Sequence, residues 1–174
     1  MRVAIVGTRQ PNRAQIQRCQ EAVAAALSSG ANIITGGAPG IDSCAIHAAN
    51  TLGQAAQVTV VLPWQNFGGW SVQELRCIVF NPDFEVEHRD WQHTLLRLRP
   101  ESTHFSNTSI LLLSRDIGIV SLADMVVAFA RPGQPDAGGT GFTIRVAQSF
   151  GKPTWVDYGQ SPGGTPWRQA LKHA

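Results

Sequence analysis

Lysine is almost missing from this sequence: only Lys152 and Lys172 are lysines among its 14 basic residues, and the others are arginines. Arginine's planar fork suits phosphate and carboxylate oxygens, whereas lysine acts as a point charge. The bias of a GC-rich genome would leave the same imbalance. Cysteine is scarce as well. Cys19, Cys44 and Cys77 are widely spaced, with no CxxC pair, so neither a disulfide framework nor a zinc site is expected and a reducing cytoplasm fits. No apolar run approaches the roughly 18 residues of a membrane span, and no membrane partner is expected. The opening MRVAIVGTRQ is apolar only briefly and ends in Gly-Thr-Arg, which reads as a first strand and not a signal peptide. Charged residues make up 15% of the chain and the net charge is +2, too weak a balance to announce a nucleic-acid binder by itself. The dinucleotide fingerprint GxGxxG, the Walker loop GxxxxGK[ST] and the serine-hydrolase elbow GxSxG are all absent.

What is present is an ordinary globular composition, 43% hydrophobic over 174 residues, enough for one domain with a substantial core. RVAIVG, ANIITGG and QVTVVLP read as three buried strands. The stretches 13–29 and 41–52 between them read as helices, the first with Ile16, Cys19, Val23, Ala26 and Leu27 on one stripe. This β-α-β-α-β order predicts a parallel sheet. Further on, 107–122 reads as a helix, MVVAFA as a fourth strand, 140–150 as a helix and PTWVDY as a fifth strand. The final WRQALKHA has helical character. The expected fold is α/β, a Rossmann-like three-layer α/β/α domain over 1–174 with a mainly parallel five-stranded sheet in the order 3-2-1-4-5. Residues 64–105 have no clean period and read as an irregular insertion, with short helices near 71–78 and 90–98.

Three glycine clusters directly follow predicted strands: Gly7-Thr8-Arg9, Gly36-Gly37-Ala38-Pro39-Gly40 and Gly138-Gly139-Thr140-Gly141. Ligands of open parallel sheets bind at the carboxyl ends of the strands. There glycine lets backbone approach an anion, and helix amino ends offer unpaired amides. Tight β-α turns would need the same glycines. Asp42 reads as a helix N-cap or as a ribose acceptor or general base, a weak candidate for a catalytic group. Arg9 reads as a phosphate contact or a solvated surface residue. Arg115 has the alternative of pairing with Asp116 or Asp124. His88 and His93, five apart, sit in a charged segment and give no metal site; no cofactor is expected.

In order along the chain, VAIVGTRQP, IITGGAPGID, SRDIGIVSLADMVVAFA and GGTGFTIRVAQSFGKPTWV resemble the Rossmann domain of the DNA-processing protein A (DprA/Smf) family, within the wider SMF/DprA–LOG (SLOG) superfamily. The resemblance covers most of the chain outside 64–105. It implies a site lined by Gly7, Thr8, Arg9, Gly36, Gly37, Ala38, Gly40, Asp42, Arg115, Gly138, Gly139, Thr140, Gly141 and Thr143. It also implies a nucleotide or single-stranded DNA as ligand, and a homodimer or larger assembly. The apolar, aromatic surroundings of Trp64, Trp70 and Phe80 point to an assembly too.

Four departures stand out. His47 falls one residue later than the family's histidine. Asp116 replaces the usual asparagine after the arginine. Arg145 stands where LOG phosphoribohydrolases, with their PGGxGTxxE motif, carry a glutamate. A winged-helix domain like that of full-length DprA is not expected in these residues. Three functions therefore compete: a module binding a phosphate-bearing ligand; a LOG-type hydrolase of nucleoside monophosphates whose acid or base would be Asp42 or a carboxylate such as Glu74; and a non-catalytic assembly protein.

Overall fold

The computed structural model describes residues 1–70, 75–83, 85–159, Trp167 and Leu171. Its centre is β1 (Arg2–Gly7), whose apolar residues alternate between two cores. Val3 and Ile5 face one side, Ala4 and Val6 the other. Burial on both faces requires this continuous apolar run. β2 (Asn32–Thr35) and β5 (Met125–Phe129) pair with β1 in parallel on either side. β3 (Val58–Leu62) continues beyond β2, and β6 (Thr154–Asp157) lies outside β5. The sheet has a sixth strand, β4 (Arg76–Val79), on the outer edge of β3, giving the order β4-β3-β2-β1-β5-β6. Without β4 the order is the expected one.

The expected short helix near 71–78 is corrected over Arg76–Val79, which are extended. Cys77, Ile78 and Val79 pair with Val60, Val61 and Leu62. Partnership with the free edge of β3 outweighs a helical propensity that was never strong. Residues 71–74, and with them Glu74, lie outside the described residues, as does most of the terminal WRQALKHA stretch.

One face of the sheet is covered by α1 (Arg13–Ser28) and α2 (Ile41–Thr51), with Trp167 and Leu171 buried in the same core. The other is covered by α3 (Val86–Leu98), α4 (Asn107–Leu122) and α5 (Gly138–Ser149). α1 begins in a capping box: Asn12 accepts from the Gln15 amide, while the Gln15 side chain accepts from the Asn12 amide. The fully buried Gln15 also donates to the Ala130 carbonyl at 2.8 Å. Arg18 pairs with Asp157 through both its Nε and its Nη2, which fastens α1 to the far side of the sheet. Ile16, expected in the core stripe, is 37% exposed instead. Cys19, Ala22 and Val23 carry the buried face.

The segment 64–105 holds β4 and α3 between tight turns. His88 is buried: its Nδ1 accepts from the Asn81 amide at 2.8 Å, and burial pushes its pKa down. His93 is exposed. Trp91 lies flat under α4, where Gly118 admits it, since a Cβ at Gly118 would come within 2.4 Å of the indole. No helix among the described residues is long and apolar enough to cross a membrane. Gly118→Ala is expected to lower the unfolding free energy by about 1–3 kcal/mol through overpacking, read as a lower urea midpoint with an unchanged slope.

Candidate functional site

The sheet order reverses between β1 and β5, and a crevice opens there at the carboxyl ends of the strands, as the topology requires. Its floor is stitched by backbone. The Thr8 amide donates to the Phe129 carbonyl at 2.8 Å, and the Ile41 amide donates to the Thr8 carbonyl at 3.2 Å. Asp42, in the first turn of α2, accepts from the Gly7 amide on Oδ1 and from the Ala38 amide on Oδ2. Its two oxygens thus hold the exit of β1 to the loop after β2. Gly40, not Asp42, occupies the cap position of α2. It is one of the positions that demand glycine: φ is 93°, and a Cβ would lie 2.4 Å from the Thr8 carbonyl oxygen.

Arg115 reaches this floor from α4 and is nearly buried. Nη1 stands 3.7 Å from Asp42 Oδ2 and Nε 3.5 Å from Asp116 Oδ1, while the guanidinium carbon lies 5.6 Å from the Phe67 ring centre. Asp124 pairs with Arg2 instead. Arg115 Nε is buried with no hydrogen-bond partner among the described residues. Gly36 makes the arrangement possible, because any side chain there would occupy the place of the guanidinium.

The pair of carboxylates and the single arginine are withdrawn from water together. Burial pushes the Asp42 carboxyl up, with Arg115 and the Ala38 and Gly7 amides opposing it. Asp116 is pushed up to about 7, first by burial and also by Asp42, against the pull of Arg115 and Arg9. Two carboxylates sharing one cation give this result, because ionising the second leaves a net buried charge.

The crevice is an open cavity of about 790 Å³. Gly7, Thr8, Arg9, Ala38, Asp42, Arg115, Gly138, Gly139, Thr140 and Thr143 all border it. The structure therefore brings the first and third glycine clusters to one place. Gly36, Gly37, Gly40 and Gly141 do not border the cavity. Gly37 packs toward β3, its carbonyl accepting from Trp70 Nε1 at 2.9 Å. Gly141 presses on the backbone of Asp136, which a Cβ would approach to 2.3 Å. These glycines serve close packing behind the cavity. In the second cluster the Ala38 amide is spent on Asp42, and just past it the Ile41 amide is spent on the Thr8 carbonyl.

The amino end of α5 differs. Ala137 caps it with no side-chain hydrogen bond, so the amides of Gly138, Gly139 and Thr140 have no helical acceptor. Three further arginines border the cavity that the sequence reading did not place there: Arg99, Arg131 and Arg145. Arg131 directly follows the fourth expected strand, a position that signals a strand-end site. Arg145 lies on α5, four residues past Gly141 of the third glycine cluster, and borders the same cavity. Nothing local in the sequence marks Arg99, which arrives from the end of α3 and stacks its guanidinium over Phe105 at 5.1 Å. Among the described residues no group of three or more metal-ligating side chains is assembled.

A family model matches at this point: that of DNA recombination-mediator protein A, over residues 1–65. Those residues are similar to DNA recombination-mediator protein A. They comprise β1 to β3 and the first two glycine clusters; the Gly138 cluster lies beyond them. Three solved structures share the fold across 99% of the chain. DNA processing protein A from Helicobacter pylori, solved for its single-stranded DNA binding mode, is 19% identical with a TM-score of 0.63, and 72% of its own chain is covered. DNA processing protein A from Streptococcus pneumoniae is 18% identical with a TM-score of 0.57, and the match spans 54% of its length. The structural-genomics target TM1055 is 20% identical with a TM-score of 0.55 over 81% of its chain. No curated protein matches. The chain therefore carries the DprA-type Rossmann-like fold, as its motifs implied.

The raised carboxyls fix a pH dependence of stability. A folded Asp116 that holds its proton to about 7, against an ordinary value of 3.8, binds more protons than the unfolded chain between those values. Stability then falls as pH rises through that window, by at most about 1.4 kcal/mol per pH unit for one proton. Asp116→Asn is expected to flatten this fall and to exceed the wild type in thermal midpoint above about pH 7, while the two converge below about pH 4. Parallel melting curves across the range check it.

Proposed function

We propose that this protein is a DprA-like module that binds a phosphate-bearing ligand, a single-stranded DNA segment or a nucleotide, in the crevice between the ends of β1 and β5. The observation that carries the reading is the uncapped amino end of α5 facing an arginine-bordered cavity. Arg9, Arg99, Arg115, Arg131 and Arg145 border it against Asp42, Asp116 and Asp136. A helix amino end and arginine forks are together a donor set for an anion. The similarity of residues 1–65 to DNA recombination-mediator protein A, and the fold shared with a single-stranded DNA binder from Helicobacter pylori, support DNA as the source of that phosphate.

The hydrolase alternative has one observation in its favour, a carboxyl that titrates near neutrality beside the cavity. Against it, both oxygens of Asp42 are engaged by backbone amides, and Arg145 stands at the rim in place of a carboxylate. Binding is the preferred reading.

Titration of a labelled oligothymidylate and of nucleoside monophosphates at several salt concentrations tests it, with free base assayed in the same samples. For DNA, log affinity falls with log salt at about −0.7 per phosphate contacted, and Arg9→Ala should remove roughly one such contact. For a mononucleotide the salt dependence is shallow, and Arg9→Ala costs about 1.5–3 kcal/mol. Release of free base would replace binding with hydrolysis as the function. Binding of neither ligand by the wild type would favour the assembly-protein alternative.

We also propose a homodimer or larger assembly on the ground of the resemblance. The aromatic argument for it narrows to Trp64, which is 37% exposed and meets Phe67 edge-on. Phe80 is buried against Trp91 and His88, and Trp70 is tied to Gly37. Light scattering at micromolar concentration should give at least twice the 18.8 kDa monomer mass; a clean monomer mass would reject it.

A further inference from the structure

Asp116 is the least expected member of the crevice, a carboxyl set where an anion is to be held. Its Oδ2 abuts Gly139, close enough that a Cβ at Gly139 would come within 3.1 Å of it. It therefore lies against the uncapped first turn of α5. The charged groups that act on it are few: Arg115 beside it on α4, Asp42 from α2 and Arg9 from the loop after β1. From α5 the Thr143 hydroxyl, which donates to the Gly139 carbonyl at 2.9 Å, lies beside it. Among the described residues no histidine borders the cavity.

Arg115 and Asp42 neutralise each other, so the charge of the floor is set by Asp116. Ionised, Asp116 puts a second carboxylate on the arginine that Asp42 already engages, at the mouth of the helix that should hold the ligand. It would also be a pure acceptor facing other acceptors. Protonated, it leaves the floor neutral and offers a hydroxyl hydrogen. Arg115 Nε, buried and without a hydrogen-bond partner among the described residues, stands 3.5 Å from Asp116 Oδ1, so the arginine and Asp116 border the cavity together.

We propose that Asp116 is a ligand-binding residue that acts as a neutral acid. It donates a hydrogen bond to the anion held at the amino end of α5, and its ionisation expels that anion. The proposal rests on the phosphate-binding reading above and adds to it one bound proton per ligand. Where Asp116 is ionised in the free protein, binding takes up that proton from solvent onto an Asp116 carboxylate oxygen; where it is already protonated, no proton moves. Affinity for a ligand of fixed charge must then fall as pH rises through the titration of Asp116.

Sulfate and an oligothymidylate are suitable probes, because neither has a group that titrates between about pH 6 and about pH 8.5. Across that range the wild type should lose about 10- to 30-fold in affinity for both, and calorimetry at the upper end should show proton uptake in buffers of different ionisation enthalpy. Asp116→Asn keeps a donor and has no proton to lose. It should bind at least as tightly as wild type at low pH, with a flat profile. Wild-type binding that is equally flat, with no proton uptake, overturns the role of Asp116 and leaves the phosphate site standing. So does a folded Asp116→Asn that binds neither probe while the wild type does. Should the variant not fold, the calorimetric proton count on the wild type decides alone. Failure of both probes to bind at any pH refutes the phosphate site itself, and this proposal with it.

Discussion

A single buried arginine organises the ligand-facing end of this molecule. Arg115 crosses from α4 to the loops that follow β1 and β2, and it reaches Asp42 only because Gly36 has no side chain. Asp42 in turn holds the amides of Gly7 and Ala38. The exits of two strands and the start of α2 are thereby fixed to a helix on the opposite face of the sheet. Removing the arginine would leave buried Asp42 with only the Gly7 and Ala38 amides to offset its charge, which is costlier than the pair is worth when intact. The same compactness raises both neighbouring carboxyls, so what holds the floor together also sets its protonation.

Much of this was legible in the sequence, for identifiable reasons. β1, β2, β3 and β5 are buried strands of a parallel sheet covered on both faces, and such strands need short continuous apolar runs. α4 was readable to the residue because Ser106 caps it and Ala123 leaves it extended before β5. Gly7 of the first cluster and Gly138 and Gly139 of the third border one cavity, at the edge where the carboxyl ends of parallel strands meet. The glycines of the second cluster do not border it. Gly37 and Gly40 are glycines for the sake of neighbouring backbone and Trp70, and the pattern in the sequence is the same whether the close neighbour is a ligand or the protein itself.

What was not legible depends on distant parts of the chain. β4 is a strand because β3 has a free edge, a fact of the sheet and not of residues 76–79. Phe80 lies inside because α3 folds over it with Trp91 and His88. Arg99 belongs to the crevice only through the turn that follows α3, and Asp116 became notable only once Arg115 and Asp42 were seen to surround it. Each is a consequence of contacts between different elements of the chain, which local periodicity does not encode.

The pairing of β1 with β5 has a consequence for how the chain comes to be folded at all. The first 62 residues supply β1, β2 and β3 with α1 and α2, yet the other edge of β1 stays open until Met125–Phe129 arrive. During synthesis, when domains begin to fold from the amino end, the nascent half-sheet displays an apolar edge with unpaired amides and carbonyls, a template for any stray strand. Gln15 waits with it, since its acceptor is the carbonyl of Ala130. The amino-terminal part is thus an unfinished surface that depends on prompt delivery of β5, and conditions that slow the ribosome between about residue 62 and residue 129 are those in which this protein is most exposed to aggregation.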